Sequence, residues 1–252
     1  MSNHDDDSNA GFFFDSEPLE PGLHCMDVVS GMQRIESGTV DLVMMDGPYF
    51  ISKSESMAAN STGWKGTKYV NFGTWDLESA ADMEPAIVEA ARILRFGGSV
   101  IMWSGWESLP ILKDIMTAHG LYHKRKLTWI KPNFHPMMIG KGWAHAEECA
   151  IWATKSEGWQ DHTFRGVGKS TSWFQNISVR DARDRIHDCQ KPVDVYYYYM
   201  RELLIPFTGQ VVVEPFAGSA PAAAVAKTLG CTYYGFDRDA DMVAKARILR
   251  GI

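Results

Sequence analysis

The run Thr39-Val40-Asp41-Leu42-Val43-Met44-Met45 stops at Asp46-Gly47-Pro48-Tyr49, and this junction restricts the fold more than any other stretch. A nearly continuous apolar, β-prone run is the pattern of a strand buried on both faces, as in a parallel sheet. Proline cannot continue a sheet ladder, so the chain leaves the sheet at the strand's carboxyl end. In open α/β sheets ligands sit just outside that end. The turn thus delivers a carboxylate, a carbonyl beside a proline and an aromatic ring to the usual site position. Two acceptors and a flat face suit a planar amine. Taken alone, the tetrad reads equally well as an ordinary turn with a capping Asp.

The surrounding pattern extends that strand into an α/β sheet. Leu23-His24-Cys25-Met26 predicts a short strand ending at Asp27, followed by a helix with Val28, Val29, Met32 and Ile35 on its apolar side. Residues 50–76 form a long polar, glycine-containing stretch carrying Trp64, Tyr69, Phe72 and Trp75, suited to a base or a bound partner, or else to a lid packed on itself. The spacing predicts a helix over Asp82–Arg95 closed by Gly97-Gly98, a strand over Ser99–Trp103, a helix over Glu107–Ala118 and a strand over Lys124–Ile130. This βαβαβ order calls for a mainly parallel sheet with right-handed crossovers.

From Phe134 to Ile186 the periodicity fades, and an irregular insertion with one strand, Cys149–Ala153, is expected. Pro192 fits the first position of a helix over Val193–Leu204. The strand Val211-Val212-Val213 runs into Glu214-Pro215-Phe216-Ala217-Gly218-Ser219-Ala220. A helix over Pro221–Leu229, a strand over Thr232–Phe236 ending at Asp237 and a last helix to Arg250 complete the chain. A small-residue turn at a helix start lets a ligand meet backbone N–H groups, and an acidic residue about 20 positions on can hold ribose hydroxyls. Gly218 and Asp237 have that spacing; Asp237 as a cap of the last helix is the competing reading.

Net charge is −6 over 252 residues, which argues against a polyanionic partner until its distribution is considered. Leu121–Ile186 holds 11 basic and 6 acidic residues, a local +5 that leaves −11 for the rest. A basic middle in an acidic chain points to one face that meets a polyanion. Lys141, Lys155, Arg165, Lys169, Arg180, Arg183 and Arg185 are its candidate contacts. The start, Met1–Asp7, is acidic and no apolar run reaches membrane-spanning length, so residues 1–18 read as a loose tail and residues 19–252 as the folded domain. Cys25, Cys149, Cys189 and Cys231 are far apart and read as buried free thiols, not as metal ligands.

With Asp46-Gly47-Pro48-Tyr49, His187-Asp188-Cys189-Gln190-Lys191-Pro192 and Glu214–Ala220 in this order, the chain resembles the amino DNA methyltransferases, in the group whose catalytic motif comes first. The resemblance covers about Leu23 to Arg250. It implies a doubly wound, mostly parallel, Rossmann-like and circularly permuted sheet, with a target-recognition insertion at about 134–186. It implies S-adenosylmethionine as cofactor, double-stranded DNA as substrate and no membrane partner, in a bacterial or phage-type cytoplasm, and it leaves a homodimer and a cognate restriction enzyme open. By matching motifs, Asp46, Gly47, Pro48 and Tyr49 are implied to be catalytic. Asp27, Lys191, Glu214, Phe216, Gly218, Ser219 and Asp237 are implied to hold the cofactor. Lys141, Lys169, Arg180, Arg183 and Arg185 are the DNA contacts retained.

Asp in the first catalytic place favours adenine N6 over cytosine N4 by the same resemblance. Two departures stand out. Gly47 replaces the family's proline, and Ala220 replaces a glycine whose freedom at positive φ the turn uses. They support the rival reading, a non-catalytic DNA-binding or regulatory subunit. In the catalytic reading, an extruded base stacks on Tyr49 while Asp46 and a neighbouring carbonyl grip its amino group.

Overall fold

The computed structural model describes residues 19–49, 79–134, 143, 145–177, 185–187 and 189–252. Calls on the tail 1–18 and on Trp64, Tyr69, Phe72 and Trp75 lie outside the described residues.

Among the described residues eight strands form one sheet: β1 (Gly22–Cys25), β2 (Val40–Asp46), β3 (Leu94–Ser104), β4 (Tyr122–Ile130), β5 (Glu147–Thr154), β6 (Ser172–Phe174), β7 (Val211–Pro215) and β8 (Thr232–Asp237). Their order is β1-β8-β7-β2-β3-β5-β4-β6. The first five in that order run parallel, whereas β5 runs antiparallel to both of its neighbours. The helices are α1 (Val28–Gln33), α2 (Glu84–Ile93), α3 (Leu109–Ala118), α4 (Val193–Leu203), α5 (Pro221–Leu229) and α6 (Ala240–Arg250).

Strand alternation builds a core on each face. Leu42 and Met44 of β2, with Ile101 and Trp103 of β3, pack against α4 and α5 through Tyr196, Met200 and Val225. Val43 and Met45, with Val100 and Met102, pack against α1, α2 and α3 through Met32, Ile87 and Met116. This double covering is why β2 is apolar between Asp46 at its end and Asp41 near its start. That carboxylate accepts from Arg95, Gln210 and the Val211 amide at the strand's start.

β1 pairs with β8, Cys25 facing Asp237, so the chain begins beside the place where it ends. The carboxyl ends of β1, β8, β7 and β2 lie side by side. Asp27, Asp237, Gly218 and Asp46 therefore share one edge, as the permuted order requires.

The structure corrects several sequence-level expectations. Gly97-Gly98 does not close α2. The helix ends at Leu94 with extended backbone, and β3 starts there with both glycines inside it. Gly97 has φ +73°, and a Cβ there would sit 2.0 Å from the Asp161 carbonyl oxygen, so the glycine serves a close backbone approach. Pro192 stands one place earlier than expected, as the N-cap of α4. The described part of 134–186 is not wholly irregular: it supplies β6 as well as β5, and β5 lies inside the sheet between β3 and β4. Among the described residues no disulfide joins the cysteines, and Cys25 and Cys189 are exposed instead of buried.

Candidate active site

Asp46 closes β2 half-buried, and the buried Gly47-Pro48 pair turns the chain away from Trp103, its partner on β3. Gly47 fits because there is little room for more. A Cβ would come within 2.9 Å of the Met83 methyl and 3.4 Å of the Phe216 ring. The turn is packed from both sides, so the departure from proline leaves no void. Among the described residues, no hydrogen bond engages the carbonyls of Gly47 or Pro48.

Around Asp46 the fold assembles a cluster that local sequence does not show. The Lys191 ammonium lies 2.5 and 2.7 Å from the two Asp46 oxygens. The Tyr196 hydroxyl donates to the same carboxylate at 3.3 Å, and the Tyr49 hydroxyl oxygen stands 3.3 Å from it. Tyr49 donates its one proton to Glu148 Oε2 at 2.9 Å. Glu148 in turn meets Lys191 at 3.0 Å and, through Oε1, Lys131 at 2.5 Å. The Lys191 ammonium also lies over the rings of Tyr49 and Trp103, 4.8 and 5.4 Å from their centroids.

Two carboxylates and two ammonium groups balance in charge. Burial alone would push Glu148 upward, but Lys191 and Lys131 outweigh it and hold the carboxyl at about 2. Burial likewise opposes the charge on Lys191, and Asp46 with Glu148 overcomes it, so the ammonium titrates above its ordinary range. Burial, then the Asp46 charge, drives the Tyr49 and Tyr196 phenols well above theirs. Both tyrosines are therefore neutral donors, not bases.

Glu148, Lys131 and Tyr196 were not singled out from the sequence. One signal was available for Glu148. In Glu147–Thr154 the alternation puts Glu148 in line with Ala150 and Trp152, on the face that builds the Tyr196 core. A carboxylate continuing an apolar row needs a partner. Lys191, implied to border the cofactor, instead turns its ammonium to Asp46.

The second part of the edge is the turn after β7. Phe216, Gly218 and Ala220 have φ of +60°, +48° and +50°. Ala220 thus adopts the left-handed conformation that its side chain was expected to oppose, at a cost of about 1–2 kcal/mol. It stands as N-cap of α5. Asp237 accepts the Gly218 amide at 2.8 Å and the Asp239 amide at 2.9 Å, tying the turn to β8. Asp239, not Asp237, caps α6. Ser219 is buried, with its carbonyl bonded by Arg250 at 2.8 Å. Asp27 is exposed and caps α1, next to the end of β8.

Glu214 points elsewhere. It is 1% exposed, accepts from Tyr233 at 2.7 Å and from the Ala222 amide at 3.0 Å, and so anchors α5 from beneath. Burial pushes its carboxyl up to about 8, against the two hydrogen bonds.

Of the basic candidates, Lys141, Arg180 and Arg183 lie outside the described residues. Lys169 faces Glu202 at 3.7 Å, and Arg185 is exposed beside His187. Lys155 is committed to the carbonyls of Arg92 and Leu94 at the opposite end of β3, away from the site edge. Arg165 is bonded through its backbone to Glu202. Among the described residues there is no helix long and apolar enough to cross a membrane, and no cluster of metal-ligating side chains.

Residues 40–247 match the N6/N4 methyltransferase family model, described as DNA methylase. The chain is 24% identical over 233 residues to the type II methyltransferase M.HinfI of Haemophilus influenzae, covering 84% of this chain and 63% of that protein. It is 23% identical over 239 residues to the type II methyltransferase M2.LlaDCHI of Lactococcus lactis subsp. cremoris, covering 87% and 86%. Its fold is similar to that of M1.HpyAVI in complex with SAM, at a TM-score of 0.69 and 15% identity over 91% of this chain and 98% of that one. It is also similar to the cytosine-N4-specific PvuII DNA methyltransferase, at 0.71 and 14% over 93% and 87%.

Proposed function

This chain belongs to the N6/N4 DNA methylase family, and we propose that it transfers a methyl group from S-adenosylmethionine to the exocyclic amine of a base in DNA. We take adenine N6 as the acceptor. The observation that carries the reading is the shared edge: Asp46 ends β2 beside the turn after β7, with the Phe216 ring against Gly47.

That turn fits the cofactor. At Gly218 nothing lies within 4 Å of where a Cβ would stand, so the backbone opens onto free space at the start of α5. A ligand can therefore approach the backbone closely there, and Asp237 suits ribose hydroxyls. Asp27 stands next to Asp237 for the adenine side. When bound, the cofactor supplies an electrophilic methyl on a sulfonium.

The remaining chemistry falls to the chain's own residues. An aromatic amine is a poor nucleophile because its lone pair is delocalised into the ring. Asp46 and the carbonyl of Gly47 or Pro48 accept its two N–H groups and favour a pyramidal nitrogen. Positive charge grows on that nitrogen as the methyl arrives, so the hydrogen bond to Asp46 strengthens in the transition state, where it accelerates the reaction. Tyr49 gives the extruded base a ring to stack on, and phosphate contacts from the basic segment, with Lys169 and Arg185 among them, offset the few kcal/mol that extrusion costs. The accommodation of both Gly47 and Ala220 favours catalysis over a non-catalytic subunit.

Asp46→Ala is expected to abolish tritium-methyl transfer to DNA while cofactor affinity stays within tenfold; retained transfer refutes the role. Asp237→Ala should weaken cofactor binding more than DNA binding by calorimetry, and the reverse order refutes the ribose contact. Nucleoside mass spectrometry of DNA from expressing cells decides between N6-methyladenine and N4-methylcytosine, and sequencing of the modified sites supplies the context.

A further inference from the structure

A carboxylate offers about four lone-pair positions, and at Asp46 three have donors while the Tyr49 hydroxyl, whose proton goes to Glu148, crowds the fourth. Oδ1 faces the Lys191 ammonium at 2.5 Å and the Tyr49 hydroxyl at 3.3 Å. Oδ2 faces the same ammonium at 2.7 Å and the Tyr196 hydroxyl at 3.3 Å. The group that is to grip a target amine is therefore already gripped. Moreover, an ammonium fixed on Asp46 repels the positive charge that develops on the reacting nitrogen.

Lys191 is oversupplied with acceptors. Its three N–H groups face four oxygens: the two of Asp46, Tyr49 Oη at 2.7 Å and Glu148 Oε2 at 3.0 Å. It can release one Asp46 oxygen without leaving an N–H unpaired. Of the acceptors that remain, Glu148 is the charged one outside Asp46. Its other oxygen is held by Lys131, and Tyr49 donates to it at 2.9 Å while standing 3.3 Å from Asp46.

We propose that Glu148 is a positioning residue for methyl transfer: it draws the Lys191 ammonium away from Asp46 as the target amine docks, and it fixes the Tyr49 ring on which the base stacks. The proposal rests on the reading of Asp46 as the amine's acceptor. The displacement creates no net charge in the pocket, because two carboxylates and two ammonium groups are present before and after.

A double-mutant cycle tests this in single-turnover methylation at saturating cofactor, on a duplex carrying the mapped context. Glu148→Gln keeps the side chain's shape and an acceptor for Tyr49. It should slow transfer at least tenfold with cofactor affinity within twofold. In a Lys191→Met background the same change should alter the rate less than threefold, because there is no ammonium to move. Equal penalties in both backgrounds mean a structural role and overturn the proposal. Should Lys191→Met fail to fold, the wild-type crystal structure with sinefungin and that duplex decides. Lys191 Nζ within 3.2 Å of Glu148 and off the Asp46 oxygen that holds the amine supports the proposal; Nζ still bridging both Asp46 oxygens overturns it. A target amine seated away from Asp46 overturns the underlying reading as well, a result distinct from a seated amine with Lys191 unmoved.

Discussion

Replacing Glu214 by glutamine should make the protein less stable in mild acid and more stable in mild base. The carboxyl is buried against the start of α5, and burial lifts it from 4.5 to about 8. Between those values the unfolded chain has lost the proton while the folded chain keeps it, so stability falls as pH rises. The contribution is complete below about 4.5, declines through the window and is gone above about 8. At 1.36 kcal/mol per pH unit the loss is roughly 5 kcal/mol. Glutamine does not titrate. It can accept from the Ala222 amide and donate to the Tyr233 oxygen, but one of its N–H groups lacks a partner, which costs about 1–3 kcal/mol. The variant should therefore be up to about 2 kcal/mol less stable at pH 5 and about 2–4 kcal/mol more stable at pH 9. At roughly 3 °C per kcal/mol for a chain of this size, the two melting curves should cross, with the variant about 6–12 °C higher at pH 9. Differential scanning fluorimetry of both proteins from pH 5 to pH 9 measures this. A difference that stays constant across the range would refute the assignment of a neutral, buried Glu214.

Glu148 should act with the opposite sign. Lys191 and Lys131 hold it at about 2 against an ordinary 4.5, so its contribution is full above 4.5 and is lost as pH falls toward 2. Glu148→Gln should cost roughly 3 kcal/mol at pH 7, and the gap to wild type should narrow below pH 4.5 in urea titrations. Gly97→Ala should destabilise by more than about 3 kcal/mol, because a left-handed backbone and a 2.0 Å approach to the Asp161 carbonyl act together. Since Gly97 lies at the end of β3 remote from Asp46, cofactor affinity measured at low temperature should not change.

The local features were legible because each is written within a few residues. A strand buried on both faces shows as an apolar run, and a site at its end shows as a break rich in glycine and proline. That covers Asp46–Tyr49 and the turn from Phe216 to Ala220, although Ala220 was expected to resist a conformation that it adopts. The placing of β1 beside β8 followed from the motif order. The strand direction of β5 did not follow, since an apolar run reads the same in either direction. Nor did the role of Gly97, which depends on a carbonyl contributed by another segment.

Taken by itself, the sequence determined which backbone segments reach the edge of the sheet and which carboxylate, Asp46, stands there, because strand pattern and chain breaks are short-range properties. Tertiary structure alone decided what meets that carboxylate. Lys191, 145 residues from Asp46, arrives just before α4, and Glu148, 99 residues from Tyr49, arrives on the antiparallel strand set between β3 and β4. Charge pairing acts through space, and burial then sets its strength, so neither could be read from neighbours along the chain.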